Sequence, residues 1–197
     1  MKMLVQKIIV GSMVIVSLAS CKKTADDTAN VPAGPQFIKY TIRAGQQFCD
    51  PNDFKQTDYT ELKFIARFDS SAVYQTLSQA NQLDINKLYG FSDNNAEHQQ
   101  FSARIGWRWS GGALRLFGYI YNNGIRDFEE ITIISIGEEH TCSIKVTSAS
   151  YIFSVGNTSK TMLRTSTTAT AKGYKLYPYF GGDEKAPHDI NVWIKEL

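Results

Sequence analysis

Short runs rich in Val, Ile, Thr, Tyr and Phe recur along this chain, separated by turn-forming residues at intervals of about 8 to 15 residues. Such runs are typical of β-strands in sandwiches and barrels. They predict eleven strands, at residues 37–42, 61–69, 84–89, 101–109, 114–121, 130–136, 141–147, 151–155, 161–168, 174–180 and 190–195. Only residues 72–82 have the composition of a short helix. Because parallel strands need long, usually helical connections, we expect an all-β fold of two antiparallel sheets, with a jelly roll as its topology.

The clearest local element is a hairpin centred on Gly111–Gly112. These two glycines can adopt the positive φ angles of a two-residue turn, which pairs residue i with residue 223 − i. Trp107 then lies opposite Leu116, and Trp109 opposite Leu114, on one apolar face. A three-residue loop would bury less apolar surface, so we expect the two-residue register and both tryptophans in the core.

The other face of this hairpin is basic and aromatic. It carries Arg104, Arg108, Arg115, Phe117, Tyr119 and Tyr121 as candidate ligand-binding residues. Arg108 lies opposite Arg115, and like charges in that position destabilise a sheet unless an anion lies between them. Guanidinium groups bind carboxylates and sulfates through paired hydrogen bonds, and tyrosine rings stack on sugars. The alternative is ion pairing within the protein, with Glu129, Glu130, Glu138 or Glu139.

A second candidate site is the segment 177–190, which combines aromatic, acidic and histidine side chains. Tyr179 and His188 are its candidate ligand-binding residues, and residues 93–98 offer a similar set. The two segments hold oxygen ligands of the kind that calcium takes, and a histidine and tyrosine pair of the kind that abstracts a proton. Neither spacing matches a defined metal motif, and ordinary Asp and Asn turn chemistry also explains both.

The first 21 residues resemble the signal peptide of a bacterial lipoprotein. Lys2 and Lys7 precede an apolar run at residues 8–18 that is too short to span a bilayer, and Leu18–Cys21 resembles the lipoprotein box. In that family the chain is cut before the cysteine, which is then acylated, and two or three acyl chains hold a protein firmly to a membrane. The resemblance implies a signal peptide at residues 1–20 and lipidation of Cys21.

Residues 21–36 contain almost no side chain that could pack in a core, and two prolines and a glycine oppose regular structure. We expect a tether here, followed by one β-sandwich domain at residues 37–197. The lipoprotein resemblance implies a position in the cell envelope, anchored to the outer membrane. Exposure at the cell surface is left open, because the charges after Cys21 resemble an export signal as much as a soluble linker.

Charge and cysteine content limit the class of protein further. Lys2 and Lys7 account for the formal charge of +2, so residues 21–197 carry 19 basic and 19 acidic side chains. Nucleic-acid binding needs an excess of Lys and Arg, so this balance argues against that class. With Cys21 lipidated, Cys49 and Cys142 can form a disulfide, and two free buried thiols are the alternative.

Three stretches, at residues 84–93, 102–109 and 176–182, resemble a family of small lipoproteins of Gram-negative bacteria that has no assigned activity. The resemblance covers most of residues 37–197 and implies a lectin-like sandwich of the concanavalin-A type. Polysaccharide lyases with a similar fold use an Arg, Gln, His and Tyr set on one sheet. Loose counterparts in this chain are Arg104, His98 and Tyr119 or Tyr121.

These observations predict an outer-membrane or surface lipoprotein that binds a glycan or another extracellular ligand without catalysis. An acidic glycan fits the arginines of the hairpin. An enzyme of the polysaccharide-lyase or hydrolase kind and a structural or assembly lipoprotein are the alternatives, since sandwiches host all three. No lyase, nucleotide-binding or zinc-protease motif occurs, so we assign no catalytic residue, metal or cofactor. The sequence does not define the oligomeric state.

Overall fold

The computed structural model describes residues 34–197. The predicted signal peptide, Cys21 and most of the predicted tether lie outside the described residues. Ala33–Leu197 forms a compact unit with its own hydrophobic core, and is therefore a self-contained folding unit. In this described part, no helix is long and apolar enough to cross a membrane.

The described residues form thirteen strands and two short 3-10 helices. The strands are β1 (Ile38–Ile42), β2 (Cys49–Asp50), β3 (Gln56–Tyr59), β4 (Glu61–Phe68), β5 (Asn86–Ser92), β6 (Phe101–Ser110), β7 (Ala113–Asn122), β8 (Ile125–Ile134), β9 (Glu139–Val146), β10 (Ser150–Val155), β11 (Thr158–Leu163), β12 (Ala171–Leu176) and β13 (Ile190–Glu196). The 3-10 helices span Ser70–Ala72 and Gln79–Leu83, in and around the predicted helical stretch. All eleven predicted strands overlap an observed one. The sequence pattern misses β2, which has two residues, and β3, which is polar.

The strands form two antiparallel sheets. The seven-stranded sheet has the order β11-β10-β9-β4-β13-β1-β2, and the six-stranded sheet has the order β3-β12-β5-β6-β7-β8. Every strand pairing is antiparallel. The inner faces of the two sheets share one core, which confirms the predicted all-β sandwich of jelly-roll type.

The core between the sheets is rich in aromatic side chains. Phe64 and Phe68 come from the seven-stranded sheet, and Tyr89 and Trp107 come from the six-stranded sheet. The ring centroids of Phe64 and Tyr89 lie 5.3 Å apart, as do those of Phe68 and Trp107. Aromatic pairs at this distance stabilise a core beyond the effect of burial. Trp107 is 1 % exposed, which confirms its predicted place in the core.

The hairpin of β6 and β7 has the predicted register. The two glycines of its turn have φ angles of 61° and 71°. Trp107 pairs with Leu116, and Arg108 pairs with Arg115. Because side chains alternate along a strand, the arginines lie on the outer face of the six-stranded sheet, away from the core.

Cys49 and Cys142 are both buried and free. Cys49 lies on β2 and Cys142 on β9, with β4, β13 and β1 between these strands in the sheet. Four inter-strand spacings place the two residues roughly 19 Å apart, far beyond the reach of a disulfide. The structure therefore excludes the disulfide and shows the alternative, two free buried thiols. Burial raises the pKa of each thiol to about 12, so neither is a reactive thiolate at neutral pH.

Candidate functional site

A cavity of about 440 Å³ opens on the outer face of the six-stranded sheet. Strands β5 to β8 line it with Lys87, Arg104, Tyr119, Tyr121 and Arg126. The segments after β5 and β12 add His98, Gln99, Tyr179, Gly181, Gly182 and Asp183. We call this cavity the basic pocket, because its lining contains three cations, Lys87, Arg104 and Arg126, and one carboxylate, Asp183. A cavity of similar volume beside Trp109 has no charged side chain in its lining.

Strand β5 makes the space in which Arg104 lies. A bulge between Lys87 and Tyr89 shifts the alternation of side chains, so Lys87 and Gly90 both lie on the outer face. Gly90 pairs with Arg104, and a Cβ atom at Gly90 would lie 2.8 Å from Arg104 Cγ and closer still to the Ala103 carbonyl oxygen. Glycine is the residue that avoids this clash. Gly90 therefore lets the Arg104 side chain lie flat against the sheet.

Arg104 is a buried cation without a protein counterion. It is 6 % exposed, and its Nε forms no hydrogen bond. Across residues 34–197, no carboxylate forms an ion pair with it. The centre of the Tyr119 ring lies 5.6 Å from the guanidinium carbon, which compensates the charge in part. Burial lowers the pKa of Arg104 from its usual value, yet an arginine stays protonated in proteins.

Lys87 is a second cation beside Arg104. Its Nζ donates a hydrogen bond to the Gly181 carbonyl oxygen at 2.7 Å. The same atom lies 5.2 Å from the centre of the Tyr119 ring and 5.7 Å from that of Tyr179. Burial, and after it the charge of Arg104, lower the pKa of Lys87 to about 8. An anion in the pocket would therefore face two positive charges at neutral pH.

A chain of hydrogen bonds fixes the tautomer of His98. The Tyr174 hydroxyl donates to Glu97 Oε2 at 2.8 Å, so its oxygen accepts a hydrogen bond from His98 Nδ1 at 3.0 Å. This network assigns the ring proton to Nδ1 and leaves the lone pair on Nε2. Burial and the charge of Arg104 lower the pKa of His98, which keeps the ring mostly neutral at pH 7. His98 therefore brings a proton acceptor to the lining of the pocket.

Four of the eight predicted ligand-binding residues line the basic pocket. They are Arg104, Tyr119, Tyr121 and Tyr179. The ring centroids of Tyr119 and Tyr121 lie 5.9 Å apart, so the two rings form one wall. Burial, and after it a hydrogen bond with Tyr121, raise the pKa of Tyr119 to about 12. Tyr119 is thus a neutral hydroxyl over the whole physiological pH range.

Three more of the predicted residues are on the same face but have partners within the protein. Arg115 Nη1 forms an ion pair with Glu130 Oε1 at 2.8 Å, as the glutamate alternative predicts. Arg108 Nη1 donates to the Leu83 carbonyl oxygen at 2.9 Å, and its guanidinium carbon lies 4.8 Å from the centre of the Phe117 ring. Phe117 is buried. These interactions occupy both arginines, and none of the three residues lines the pocket.

His188 lies outside the pocket. Its Nε2 is 2.9 Å from the Ser71 carbonyl oxygen, which holds the segment before β13 against the 3-10 helix at Ser70–Ala72. The prediction that Tyr179 and His188 share a site is therefore wrong. Instead His98, from the segment 93–98, lies in the same pocket as Tyr179.

Sequence reasoning missed Lys87, Gln99 and Arg126 as lining residues, whereas Asp183 belongs to the predicted segment 177–190. A regular strand would place Lys87 on the same face as Tyr89, which is in the core. A lysine two residues before the core residue Tyr89 is the sequence signal for the bulge in β5. Gln99 lies on a connection and Arg126 at a strand end, where the sequence pattern carries no information about long-range neighbours.

Asp93 forms a buried ion pair with Arg164. Arg164 Nε and Nη2 lie 2.7 Å and 3.1 Å from the two carboxylate oxygens, and both side chains are fully buried. The Tyr151 hydroxyl donates to Asp93 Oδ2 at 2.6 Å. Arg164 also donates to the carbonyl oxygens of Thr147, Thr168 and Thr170. Burial opposes ionisation of Asp93, but the hydrogen bonds from Arg164 and Tyr151 outweigh it and lower the pKa of Asp93.

This ion pair bears on the calcium interpretation of residues 93–98. Both oxygens of Asp93 are taken up by hydrogen bonds within the protein. In the part of the chain that the structure describes, no group of three or more His, Cys, Asp or Glu side chains could hold a metal ion. The segment is therefore a structural turn whose aspartate links the two sheets.

No protein-family model matches this chain, and no curated protein sequence matches it. Solved structures do resemble it. A glycoside hydrolase family 16 endo-glucanase from Bacteroides ovatus, in complex with G4G3G-2F-DNP, aligns with a TM-score of 0.52 and 12 % identity over 83 % of this chain and 81 % of its own.

Two further solved structures align equally well. A family 16 protein of the Bacteroides ovatus mixed-linkage glucan locus, in complex with the product G4G4G3G, gives a TM-score of 0.53 and 13 % identity over 82 % of this chain and 81 % of its own. The alginate lyase AlyC3 gives a TM-score of 0.53 and 8 % identity over 81 % and 72 %. At such identities the likeness shows the fold alone. The chain is thus a jelly-roll sandwich with a basic pocket on one outer face.

Proposed function

We propose that this protein binds an acidic glycan in the basic pocket, as a lipoprotein of the cell envelope. The observation that carries the proposal is Arg104, a buried cation for which the described residues provide no counterion. A buried and unpaired charge costs several kcal/mol. A carboxylate or sulfate on a ligand would supply the missing partner through charge-assisted hydrogen bonds.

The chemistry of an acidic sugar fits the rest of the pocket. The guanidinium of Arg104 offers paired donors to a planar carboxylate, and Lys87 adds a second charge beside it. Tyr121 and Tyr179 are partly exposed and offer ring faces to the C–H surfaces of a sugar, while Tyr119 is buried against Lys87 and Arg104. A cavity of about 440 Å³ lies within the range of small-ligand sites.

The structural neighbours support a glycan as the ligand, since two act on or bind glucans and the third is an alginate lyase. Hydrolysis of a glycosidic bond needs a pair of carboxylates that flank the bond. Among the described residues, Asp183 is the one carboxylate that lines the pocket. We therefore favour an acidic ligand over hydrolysis of a neutral glucan.

Titration of the segment 33–197 with oligosaccharides of alginate and of polygalacturonate, beside a neutral β-glucan oligosaccharide, tests the proposal. We expect binding of an acidic oligosaccharide and none of the neutral one. Arg104→Gln should abolish the binding. Arg108→Gln is the matched control, because Arg108 lies on the same strand and face but outside the pocket, and it should keep the affinity. Equal affinity for the neutral oligosaccharide, no binding of any acidic one, or unchanged binding by Arg104→Gln would contradict the proposal.

A second candidate function is β-elimination on a bound uronate, which the tautomer of His98 favours. With the carboxylate paired to Arg104, His98 Nε2 would take the C5 proton, and the C4–O bond would break as the C4–C5 double bond forms. The Tyr119 hydroxyl would donate a proton to the leaving oxygen. The pocket also holds Gln99, so the four residue types of the lyase set lie together.

An ultraviolet assay for unsaturated uronates separates the two candidates. Catalysis predicts rising absorbance with the protein, none with His98→Asn, and retained binding by that variant. Binding without any increase in absorbance would exclude β-elimination and leave the binding proposal intact.

The location in the cell envelope rests on the resemblance of Leu18–Cys21 to a lipoprotein box. Cys21→Ala in the full chain should prevent incorporation of labelled palmitate and release the protein from the membrane fraction, or stall its processing. Unchanged fractionation together with unchanged label would refute lipidation at this cysteine.

A further inference from the structure

The outer face of the seven-stranded sheet carries cations packed on two aromatic rings. Lys39 Nζ lies 5.4 Å, and the guanidinium carbon of Arg67 5.1 Å, from the centre of the Trp193 ring. Arg67 and Lys195 lie 5.6 Å and 4.8 Å from the centre of the Phe37 ring. We call these five residues the basic-aromatic face.

Strand register explains why these side chains meet. Trp193 on β13 pairs with Lys39 on β1 and with Arg67 on β4. Neighbours directly across a sheet have Cβ atoms about 5 Å apart, so long basic side chains reach the ring between them. Their alkyl stems cover the ring while the charged ends stay in water.

This face holds an excess of positive charge. The outward-facing charges of β1, β4 and β13 are Lys39, Lys63, Arg67 and Lys195, against one carboxylate, Glu61. Within the described residues none of the four cations forms an ion pair, although Glu139 on β9 lies opposite Arg67. With Lys145 and Glu139 of β9 and Asp50 of β2 included, five cations stand against three carboxylates, so this face is positive although residues 21–197 as a whole have no net charge.

We propose that the basic-aromatic face docks on the surface of a bilayer that contains anionic lipids. Lysines and arginines are attracted by anionic headgroups, and the Trp193 ring beneath Lys39 and Arg67 supports these two side chains at the surface. Phe37 follows Cys21 by 16 residues, and a chain of that length spans at most about 55 Å. An acylated Cys21 would therefore hold the domain near the membrane, with the chain joined to it at Phe37 on this face.

Docking in this orientation would leave the basic pocket open to the medium. The pocket is on the outer face of the six-stranded sheet, and the outer faces of two packed sheets point in opposite directions. A glycan could thus reach the pocket while the opposite sheet rests on the membrane.

Sedimentation of the segment 33–197, which lacks Cys21, with lipid vesicles tests the proposal without the acyl anchor. We expect binding to vesicles of phosphatidylcholine mixed with phosphatidylglycerol, none to phosphatidylcholine alone, and weaker binding as salt concentration rises. No binding to the anionic vesicles at low ionic strength, or equal binding to both vesicle types, would overturn the proposal.

A pair of charge reversals locates the contact. Lys39→Glu with Lys195→Glu should weaken binding to anionic vesicles by about 30-fold or more. The control is Lys55→Glu with Lys185→Glu, which makes the same change in net charge at exposed positions away from this face and should keep the binding. Circular dichroism checks that both variants fold, and Lys39→Gln replaces the first pair if it does not. Equal losses of vesicle binding in the two double variants would overturn the proposal. Binding of soluble alginate that Lys39→Glu with Lys195→Glu removes, without binding to any vesicle, would overturn it as well.

Discussion

Two arginines of this sandwich are almost fully buried, and they differ in what surrounds them. Arg164 is 2 % exposed and pairs with Asp93 through two hydrogen bonds. Arg104 is 6 % exposed and has no ion-pair partner in the described part of the chain. The first arginine has carbonyl oxygens and a carboxylate around it, whereas the second has tyrosine rings, a histidine and another cation.

The difference teaches that burial of a charge is by itself no sign of its role. A charge with all its partners in the chain holds parts of the fold together, as Arg164 does between the ends of β5 and β11. A charge that lacks a partner weakens the fold until an anion from outside arrives. The same substitution should therefore lower the free energy of unfolding at Arg164 and leave it unchanged or raise it at Arg104.

The largest effect is expected from Arg164→Met. It leaves the Asp93 carboxylate buried with no cation, so the free energy of unfolding should fall by about 3–5 kcal/mol. Urea unfolding followed by circular dichroism measures the change. A loss below about 1 kcal/mol would show that Asp93 finds water or another donor. It would contradict the structural role assigned to Arg164.

The same substitution at Arg104 should not destabilise the protein. Arg104→Met replaces an unpaired buried cation by an apolar side chain, so the free energy of unfolding should stay the same or rise. Affinity for an acidic oligosaccharide should fall at least about 30-fold, since one member of a buried charge pair is lost. Unfolding and binding are measured on one preparation, with Arg108→Met as the control. A large loss of stability would mean that Arg104 has a structural role as well.

Acid should weaken the fold through Asp93. The pKa of this carboxyl is lowered in the folded protein, so its stabilisation is complete above the unfolded pKa of about 4 and disappears as pH falls through the folded pKa. The free energy of unfolding should drop by up to about 1.4 kcal/mol per pH unit in that range from this group. Asp93→Asn should lower stability but flatten the acid slope. An unchanged slope in this variant would assign the acid sensitivity to other carboxyls.

The smallest effect concerns Lys87 and the pH dependence of binding. With its pKa lowered to about 8, Lys87 loses its charge as pH rises from 7 to about 9. Affinity for an acidic oligosaccharide should then fall by about tenfold, the equivalent of one charged hydrogen bond. Isothermal titration at several pH values measures this, and Lys87→Met should give a weaker but flat profile. If the affinity of the protein without substitutions does not change with pH, the anion is bound by Arg104 without Lys87.

Local features of this fold could be predicted from the sequence. The β6–β7 hairpin follows from two glycines and from strict alternation of apolar residues, because turn type and burial together fix a register. That register places Arg108 opposite Arg115 without information about any other strand. The existence of most strands follows from runs of β-branched and aromatic residues between turn-forming residues.

The site could be predicted only in part, because its properties depend on residues far away in sequence. Arg104 and Arg108 are on the same face of one strand. Arg104 lies against Gly90 in a pocket that Tyr179 also lines, whereas Arg108 donates a hydrogen bond to the Leu83 carbonyl oxygen. No pattern along β6 distinguishes them. The pairing of Arg164 with Asp93, 71 residues apart, leaves no periodic signal either.

The pairing of β1 with β13 determines when this fold can be completed. Thr41 and Asn191 are 150 residues apart and share a hydrogen bond of 2.9 Å. During synthesis, β1 must wait for residues 190–196 before it gains its place beside them in the sheet. Contacts between such distant segments make folding slow, because a long loop has to close first. This topology therefore predicts slow folding that is completed only when β13 has joined the sheet.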